Sequence, residues 1–402
     1  MARPALARLY LFALLGWTFD FYDLALLGII REPVARALHL TPTASAWMLG
    51  VALGSSGIGG IAGGALADRV GKRTMLAWTV LVYSAGSLLC GLAPGAATFV
   101  AGRAIVGLGV GSEWAIGHGM LAEAVPAEKR GRWSAALQAG EPLGFALAAV
   151  VGYLLLPLVG WRAVFIGSSA TALLAVFARR SVHLPDEPAS KARSARELFA
   201  PLLRVGVRGR MAAAWVLGVF KLGTYWSCYT WLPTFLRDMG QPVARSLTWV
   251  LTAQGGQLLG MLTFGAVSDR LGRRPAFSMF SLLTAAAIAP LAFEWRALSG
   301  RPALFWAVMF ALGVGSGCTA GFGALLAELF PTQVRATAMG TTYNLARTAQ
   351  LFAPIVVQSA VAAAGLAGGL SVPLVLAMAT ASWVWVLPET RGIALPKLSE
   401  PG

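Results

Sequence analysis

Gly64-Ala-Leu-Ala-Asp68-Arg69-Val-Gly71-Lys72-Arg73 closes the second apolar run of the chain, and Gly265-Ala-Val-Ser-Asp269-Arg270-Leu-Gly272-Arg273-Arg274 closes the eighth. The two aspartates stand 201 residues apart. A second pair of motifs keeps nearly the same distance. Ala122-Glu123 leads to Pro126 and Arg130, and Ala327-Glu328 leads to Pro331 and Arg335, the two arginines lying 205 residues apart. Two unrelated motifs at nearly one spacing describe an internal duplication.

Working outward from these loops gives twelve apolar segments. The first six are Tyr10–Ile30, Ala44–Leu66, Thr74–Ala93, Thr98–Ala122, Ser134–Pro157 and Trp161–Ala178. The second six are Met211–Leu236, Ser246–Val267, Ala276–Phe293, Ala303–Leu326, Ala338–Ala363 and Gly369–Leu387. A helix needs about 20 apolar residues to cross a bilayer, so the segments predict an all-α membrane protein of twelve transmembrane helices. Two six-helix halves follow, residues 1–178 and 211–402, joined by the polar linker 179–210. Parallel repeats of this kind place a transport site near the midplane between halves.

Composition agrees. Of 402 residues 57% are hydrophobic and 12% charged, about half the charge of an ordinary soluble protein. The formal charge of +15 invites a nucleic-acid reading, but its distribution opposes one. Of the 32 Lys and Arg, 22 fall in predicted loops on the face that carries the duplicated motif, seven on the other face and three inside helices. That bias is the positive-inside signal and predicts both termini in the cytoplasm. The N-terminal run, with Asp20 and Asp23 inside it, reads as an uncleaved first helix rather than a signal peptide. Cys90, Cys228 and Cys318 stand far apart in apolar runs, without metal-ligand spacing, and read as small core residues.

The duplicated loop resembles the signature of the major facilitator superfamily, and the likeness covers the whole chain. Arg103-Ala-Ile-Val-Gly107-Leu-Gly109-Val-Gly111 resembles that family's fourth-helix motif. Pro388-Glu389-Thr390-Arg391-Gly392 is similar to the ending of its sugar-transporter branch. Gly111-Ser112-Glu113-Trp114, and Trp17-Thr-Phe-Asp20-Phe-Tyr22-Asp23-Leu, resemble stretches of the metabolite:proton, sialate or lactate:proton and aromatic-acid:proton symporters. Ser112 departs from that pattern where a glycine is usual. Gly140-Glu141-Pro142-Leu143-Gly144 is partly similar to a turn of drug:proton antiporters, with Glu141 breaking the match. The resemblance implies a monomeric carrier in a bacterial inner membrane. It implies no cofactor and no metal, with gating by the duplicated loops.

Seven ionisable residues fall inside predicted helices: Asp20, Asp23, Arg103, Glu113, Glu141, Lys221 and Arg347. Each costs about 2.5–3.5 kcal/mol at a helix centre on insertion scales, and such residues usually face the bundle interior. Lys221 stands 201 residues after Asp20 and Arg347 stands 206 after Glu141. The repeat therefore predicts an acidic first half facing a basic second half across a central cavity. Lys221, Arg347 and Arg103 are the expected anchors for an anionic substrate, since arginine grips a carboxylate through two parallel hydrogen bonds. Arg103 also has a structural reading. Asp20 and Asp23, spaced i, i+3, are the first candidates for proton carriers, followed by Glu113 and Glu141. Tyr225, Tyr229, Trp114 and Tyr343 are expected in the site wall, with Trp226, Trp231 and Tyr22 nearby. Gln254 and Gln257 are hydrogen-bonding candidates, and His118 reads as a core histidine or a proton relay. Asp68, Arg69, Asp269, Arg270, Glu123, Arg130, Glu328 and Arg335 are expected to gate the carrier, with Arg69 and Arg270 pairing acids near other helix ends.

No nucleophile elbow, phosphate loop or metal-ligand spacing supports a membrane enzyme, and the linker is too short to be the soluble domain of a sensor. The leading expectation is proton symport of a small organic acid anion, monocarboxylate or aromatic. Uncoupled facilitation and proton-coupled export of a metabolite or drug are the alternatives. The partners are the substrate, protons and the lipid bilayer, with no nucleic acid.

Overall fold

The computed structural model describes residues 3–124, 133, 136–173, 200–203, 205–238, 240, 243–330 and 335–391. Most of the linker expected at 179–210 lies outside them, as does Arg130. Every regular element in the described residues is helical. In chain order these are α1 (Arg3–Ala37), α2 (Pro42–Val70), α3 (Lys72–Gly91), α4 (Ala96–Ala124), α5 (Gly140–Val150) and α6 (Leu156–Ser168). The second part holds α7 (Val205–Tyr229), α8 (Leu232–Asp238), α9 (Val243–Leu271), α10 (Arg273–Phe293), α11 (Trp295–Ser299), α12 (Pro302–Ser316), α13 (Phe322–Leu329), α14 (Arg335–Ala349) and α15 (Ala353–Trp383).

The apolar core encloses a set of ionisable residues, and large apolar side chains also cover the outside. Asp20, Arg103, Glu113, Glu141, Lys221 and Arg347 are all buried, while Leu158, Leu262, Val375 and Trp385 stand exposed. In water that arrangement would forfeit the hydrophobic driving force, so the outer surface must meet lipid. Among the described residues, eight helices are long and apolar enough to cross a membrane.

Backbone turns repeat with the motifs. α2 passes to α3 at Gly71 (φ 88°) and α9 passes to α10 at Gly272 (φ 107°). Both angles favour glycine, and the two positions stand 201 residues apart. α6 breaks at Gly160 (φ 77°) and α15 at Ala364 and Gly365 (φ 62°). These breaks, 205 residues apart, fall where the sequence separates its fifth from its sixth segment and its eleventh from its twelfth.

Glycine seams carry the same period. Gly107 and Gly111 of α4 lie against α2 at Ala52 and Ser56, and Gly109 lies against Thr79 and Tyr83 of α3. Gly313 and Gly317 lie against α9 at Ala253 and Gly260, and Gly315 lies against Phe280 and Thr284 of α10. Each glycine of the second set stands 206 residues after its counterpart. A side chain at these places would meet backbone, so close helix approach requires glycine there. A further stripe on α2, Gly50, Gly54, Gly57 and Gly60, faces Leu351, Thr348 and Asn344 and forms one seam between the halves. α5 likewise packs across α9.

At the end of the bundle that carries the duplicated loops, the structure corrects one expectation. Arg270 is exposed, and Arg273 does the pairing expected of it. The Arg273 guanidinium donates to both Glu328 carboxylate oxygens, at 3.1 and 2.7 Å, and to Asp269 at 2.6 Å. A planar fork matches a carboxylate better than a lone contact does, and Arg273 follows the glycine turn, which aims it across to α13. Thr390 donates to Glu328 as well. The side chains of Asp68, Arg69, Glu123 and Arg335 lie outside the described residues.

Glu389, read in the sequence only as part of an ending, caps α10. It accepts from the backbone N–H groups of Arg273, Arg274, Thr390 and Arg391 at 2.8–3.0 Å. Partial burial pushes its carboxyl up, but these donors outweigh that and hold it below the usual carboxylate range. The folded state therefore favours the ionised form, and the stabilisation is present above the ordinary glutamate pKa of about 4.3 and lost as pH falls through the folded value. Glu389→Ala should cost about 1 kcal/mol at neutral pH, as for loss of a helix cap. Thermal-shift midpoints in detergent should show wild type and variant apart at pH 7 and converging as pH falls below about 4. An equal gap across that range would contradict the cap.

Candidate functional site

Midway along the bundle, helices from both halves bring their ionisable residues together. α1 supplies Asp20 and Asp23, α4 Arg103 and Glu113, α5 Glu141, α7 Lys221, and α14 Arg347. All are at least 98% buried. Burial at that depth is tolerable only where opposite charges or hydrogen bonds compensate, so the pairing decides what each residue does.

Asp23 and Arg103 form one ion pair. The Arg103 guanidinium donates to the Asp23 carboxylate and to the Asp23 carbonyl oxygen at 3.3 Å. The pair lies wholly within the first half, between α1 and α4. Two expectations change as a result. Arg103, expected among the substrate anchors, is committed to Asp23, and Asp23, expected as a proton carrier beside Asp20, is committed to Arg103. The i, i+3 spacing brings the two aspartates to one side of α1, but α4 runs antiparallel to α1 and offers each a different partner. Tyr22 also turns away, its hydroxyl sharing a hydrogen bond of 2.8 Å with Ser168 of α6.

Asp20 faces Glu113, with Arg347 and Asp23 also within electrostatic reach. Glu113 fits because α1 has glycine at position 16, where a methyl group would overlap its carboxylate. Neither carboxylate meets a hydrogen-bond donor at good geometry. Two buried carboxyls face to face cannot both carry full charge cheaply.

Glu141 accepts a hydrogen bond from the Gln257 side chain at 2.7 Å, joining α5 to α9 across the halves. Gln138 donates to its other carboxylate oxygen at 3.4 Å, and Lys221, Arg347 and Tyr225 are also neighbours. Lys221 donates to the Ser316 carbonyl at 3.3 Å, and the Tyr229 hydroxyl donates to the Ser316 hydroxyl at 3.1 Å. Ser316 drew no notice in the sequence. It ends α12 at the second glycine run, and that position was its one available signal.

Arg347 lies between the two acidic groups. Its guanidinium carbon sits 5.9 Å from the centre of the Trp17 ring, within cation–π range. Tyr343, one turn before it on α14, lies beside both Arg347 and Glu141. Neither terminal guanidinium nitrogen of Arg347 has a hydrogen-bond partner. Both side-chain amide atoms of Gln254, the Tyr225 hydroxyl and the Gln257 carbonyl are likewise unsatisfied by strict geometry. Such groups are rare in protein interiors and ask for a ligand or water.

Aromatic rings complete the wall. Phe21 stacks on Trp226 at 5.8 Å, Phe145 meets Tyr229 at 5.6 Å, and Tyr225 lies 4.7 Å from Tyr229. Trp17, Phe21 and Phe145 add to the wall expected from the sequence, and Trp17 stands one helical turn before Asp20. Trp231 lies away from this centre, at the corner between α7 and α8. The side chains of Trp114 and His118 lie outside the described residues.

A helical bundle with lipid-facing leucines and mutually compensating charges at its middle defines an integral membrane carrier of small molecules. The chain belongs to the major facilitator superfamily. The model of that superfamily matches residues 9–254, and that of the sugar (and other) transporters matches residues 220–391. A Haemophilus influenzae protein named as a metabolite transport protein is 31% identical, covering 94% of this chain and 95% of its own. One from Cupriavidus pinatubonensis, named for 4-methylmuconolactone transport, is 30% identical over 96% and 91%. The niacin transporter of Acinetobacter baylyi is 28% identical over 85% and 84%. Among solved structures, a D-xylose–proton symporter superposes with a TM-score of 0.77 at 22% identity, covering 96% of this chain and 99% of that one. The chain is a transporter and not an enzyme.

The Asp23–Arg103 pair gives a direct prediction. Removing either partner leaves an unpaired buried charge, which typically costs about 3–5 kcal/mol. Asp23→Asn and Arg103→Gln should each lower the thermal midpoint of purified protein sharply, and the double variant should lie well above the sum of the two losses. Additive losses would mean that the two residues do not act as a pair.

Proposed function

We propose that the protein is a proton-coupled symporter that takes up a small organic acid anion, monocarboxylate or aromatic, by alternating access in the plasma membrane. The reading uses twelve crossings in two six-helix halves, residues 1–178 and 211–402, with both termini in the cytoplasm and the carrier acting as a monomer. The observation that supports it best is Arg347, a buried guanidinium whose two terminal nitrogens lack hydrogen-bond partners. A carboxylate supplies two parallel acceptors for that fork. Lys221 adds a second positive charge, Gln254, Gln257, Tyr225 and Tyr343 offer polar contacts, and Tyr229 with the neighbouring rings holds an apolar or aromatic body. The relatives named for niacin and for 4-methylmuconolactone fit a cargo of this size.

Counting charges gives the coupling. Asp20, Glu113 and Glu141 face Lys221 and Arg347, and the Asp23–Arg103 pair cancels itself. One proton on the Asp20–Glu113 pair leaves the empty site neutral. An incoming carboxylate adds one negative charge, and a second proton on the same pair restores neutrality. Anion and proton then cross together, and the loaded carrier moves no net charge through the membrane. Neutrality matters because an uncompensated charge at the bilayer centre costs several kcal/mol. The glycine seam between α2 and α14, and the α5–α9 contact, are the surfaces on which the halves rock. Asp68, Arg69, Asp269, Arg273, Glu123, Arg130, Glu328 and Arg335 form the gate on the cytoplasmic side.

Proteoliposomes test this. With benzoate as probe, an inward proton gradient should drive accumulation without change in membrane potential. Asp20→Asn and Glu113→Gln should lose accumulation against a gradient while keeping benzoate exchange between the two sides. Accumulation by both variants at the wild-type level, or uptake indifferent to the proton gradient, would refute proton coupling.

A further inference from the structure

One helical turn away from Glu141, on the side far from the duplicated loops, the central site changes character. Glu141 and Tyr225 are neighbours, and one turn further along α5 and α7 Phe145 meets Tyr229 at 5.6 Å. α7 leads into α8, and α9 then runs back to the turn at Gly272, antiparallel to α7. Gln254 of α9 stands one turn before Gln257, the donor to Glu141, and is therefore level with those two rings.

Glycine fixes which way Gln254 points. Gly256 and Gly260 rest on α12 at Phe310 and Val314. At 3.6 residues per turn, Gln254 stands about 160° round the helix from Gly256 and about 60° from Gln257. It therefore faces the site with Gln257 and turns away from α12. Its side chain is 3% exposed, and neither the amide nitrogen nor the amide oxygen has a hydrogen-bond partner. The Tyr229 hydroxyl at the same level is already committed to Ser316, so that residue offers its ring alone. An amide both donates and accepts. Buried with both functions open, it asks for a partner of matching chemistry. A cargo that covered it with hydrocarbon would lose the hydrogen bonds of both atoms.

We propose that Gln254 is a specificity-determining residue of the central site, and that the cargo is an organic acid carrying a neutral hydroxyl about one ring's length from its carboxylate. The inference rests on the proposed function, in which Arg347 holds the carboxylate. Arg347 neighbours Glu141, so the carboxylate lies about one turn from the level of Gln254. The pitch of a turn is about 5.4 Å, a gap that a single ring spans. The ring rests against Phe145 and Tyr229, and its far end reaches the amide. A hydroxyl there donates to the amide oxygen or accepts from the amide nitrogen, whereas a methyl group of the same size does neither.

The experiment is competition against radiolabelled benzoate on purified full-length protein. The 3- and 4-hydroxybenzoates are compared with the methyl-substituted acids of the same shape. In wild type the better hydroxy acid should bind at least tenfold tighter than its methyl counterpart, because a site built for a hydroxyl rejects the analogue lacking it. Gln254→Met should abolish that ratio by weakening the hydroxy acid, with the methyl acid nearly unchanged. Gln254→Asn, which withdraws the amide by one carbon, should do the same and serves should the methionine disturb folding. Arg347→Gln should weaken every acid. If wild type binds hydroxy and methyl acids equally, or the ratio survives both Gln254 variants, the role of Gln254 is refuted, and loss of binding in Arg347→Gln still upholds the carboxylate anchor. If the ratio disappears in Gln254→Met while Arg347→Gln changes no affinity, the anchor is refuted and the role of Gln254 stands. Binding of no acid to wild type refutes both.

Discussion

Charge inside lipid is the constraint on which the rest of this structure depends. A bilayer interior offers no water to solvate a guanidinium or a carboxylate, so each buried charge must find its compensation in protein. Here the compensation comes from different helices. Asp23 answers Arg103 within the first half, and Glu141 reaches Gln257 across the halves. Lys221 leans on the Ser316 carbonyl, and Trp17 presents its face to Arg347. Those contacts fix how α1, α4, α5, α7, α9, α12 and α14 stand round a common centre. What they leave unsatisfied, chiefly the Arg347 fork and the Asp20–Glu113 pair, is the part that the proposed function assigns to a substrate and a proton.

The arrangement separates tasks that one charge type could not perform alone. An ion pair sealed inside one half stabilises without taking part in exchange. A cation between acids from two directions can hold an anion and sense whether those acids are protonated. Glycine seams bring the helices close enough for side chains of ordinary length to span the halves. Where a seam glycine also makes room for a functional group, as Gly16 does for Glu113, packing and chemistry cannot be altered independently.

Much of this was legible in the sequence because duplication supplies a ruler. Turns at Gly71 and Gly272, breaks at Gly160 and Gly365, and the two glycine triplets all recur at 201–206 residues. The same ruler placed Asp20 level with Lys221 and Glu141 level with Arg347. Depth, however, is not pairing. Lys221 neighbours Glu141, and Arg347 neighbours both Asp20 and Glu141. Which acid meets which base depends on rotation about each helix axis and on side-chain direction, and a spacing along the chain carries neither. The same limit explains Arg103 and Arg273. Arg103 looks like an anchor until the antiparallel α4 is laid on α1, and Arg270 looks like the gate until the turn at Gly272 aims Arg273 at Glu328 instead. Trp17, Phe21, Phe145 and Ser316 escaped notice because apolar and hydroxyl residues are common in membrane helices and carry no signal of their own.

The central claim is that the unpaired guanidinium of Arg347 receives the carboxylate of the transported anion. A structure of the full chain with benzoate bound tests it most directly. The account predicts density for the carboxylate within hydrogen-bonding distance of both terminal nitrogens of Arg347, with the ring against Tyr229 and its neighbours. A benzoate occupying the central site with its carboxylate turned away from Arg347, or an Arg347 fork still unpaired beside a bound ligand, would contradict it.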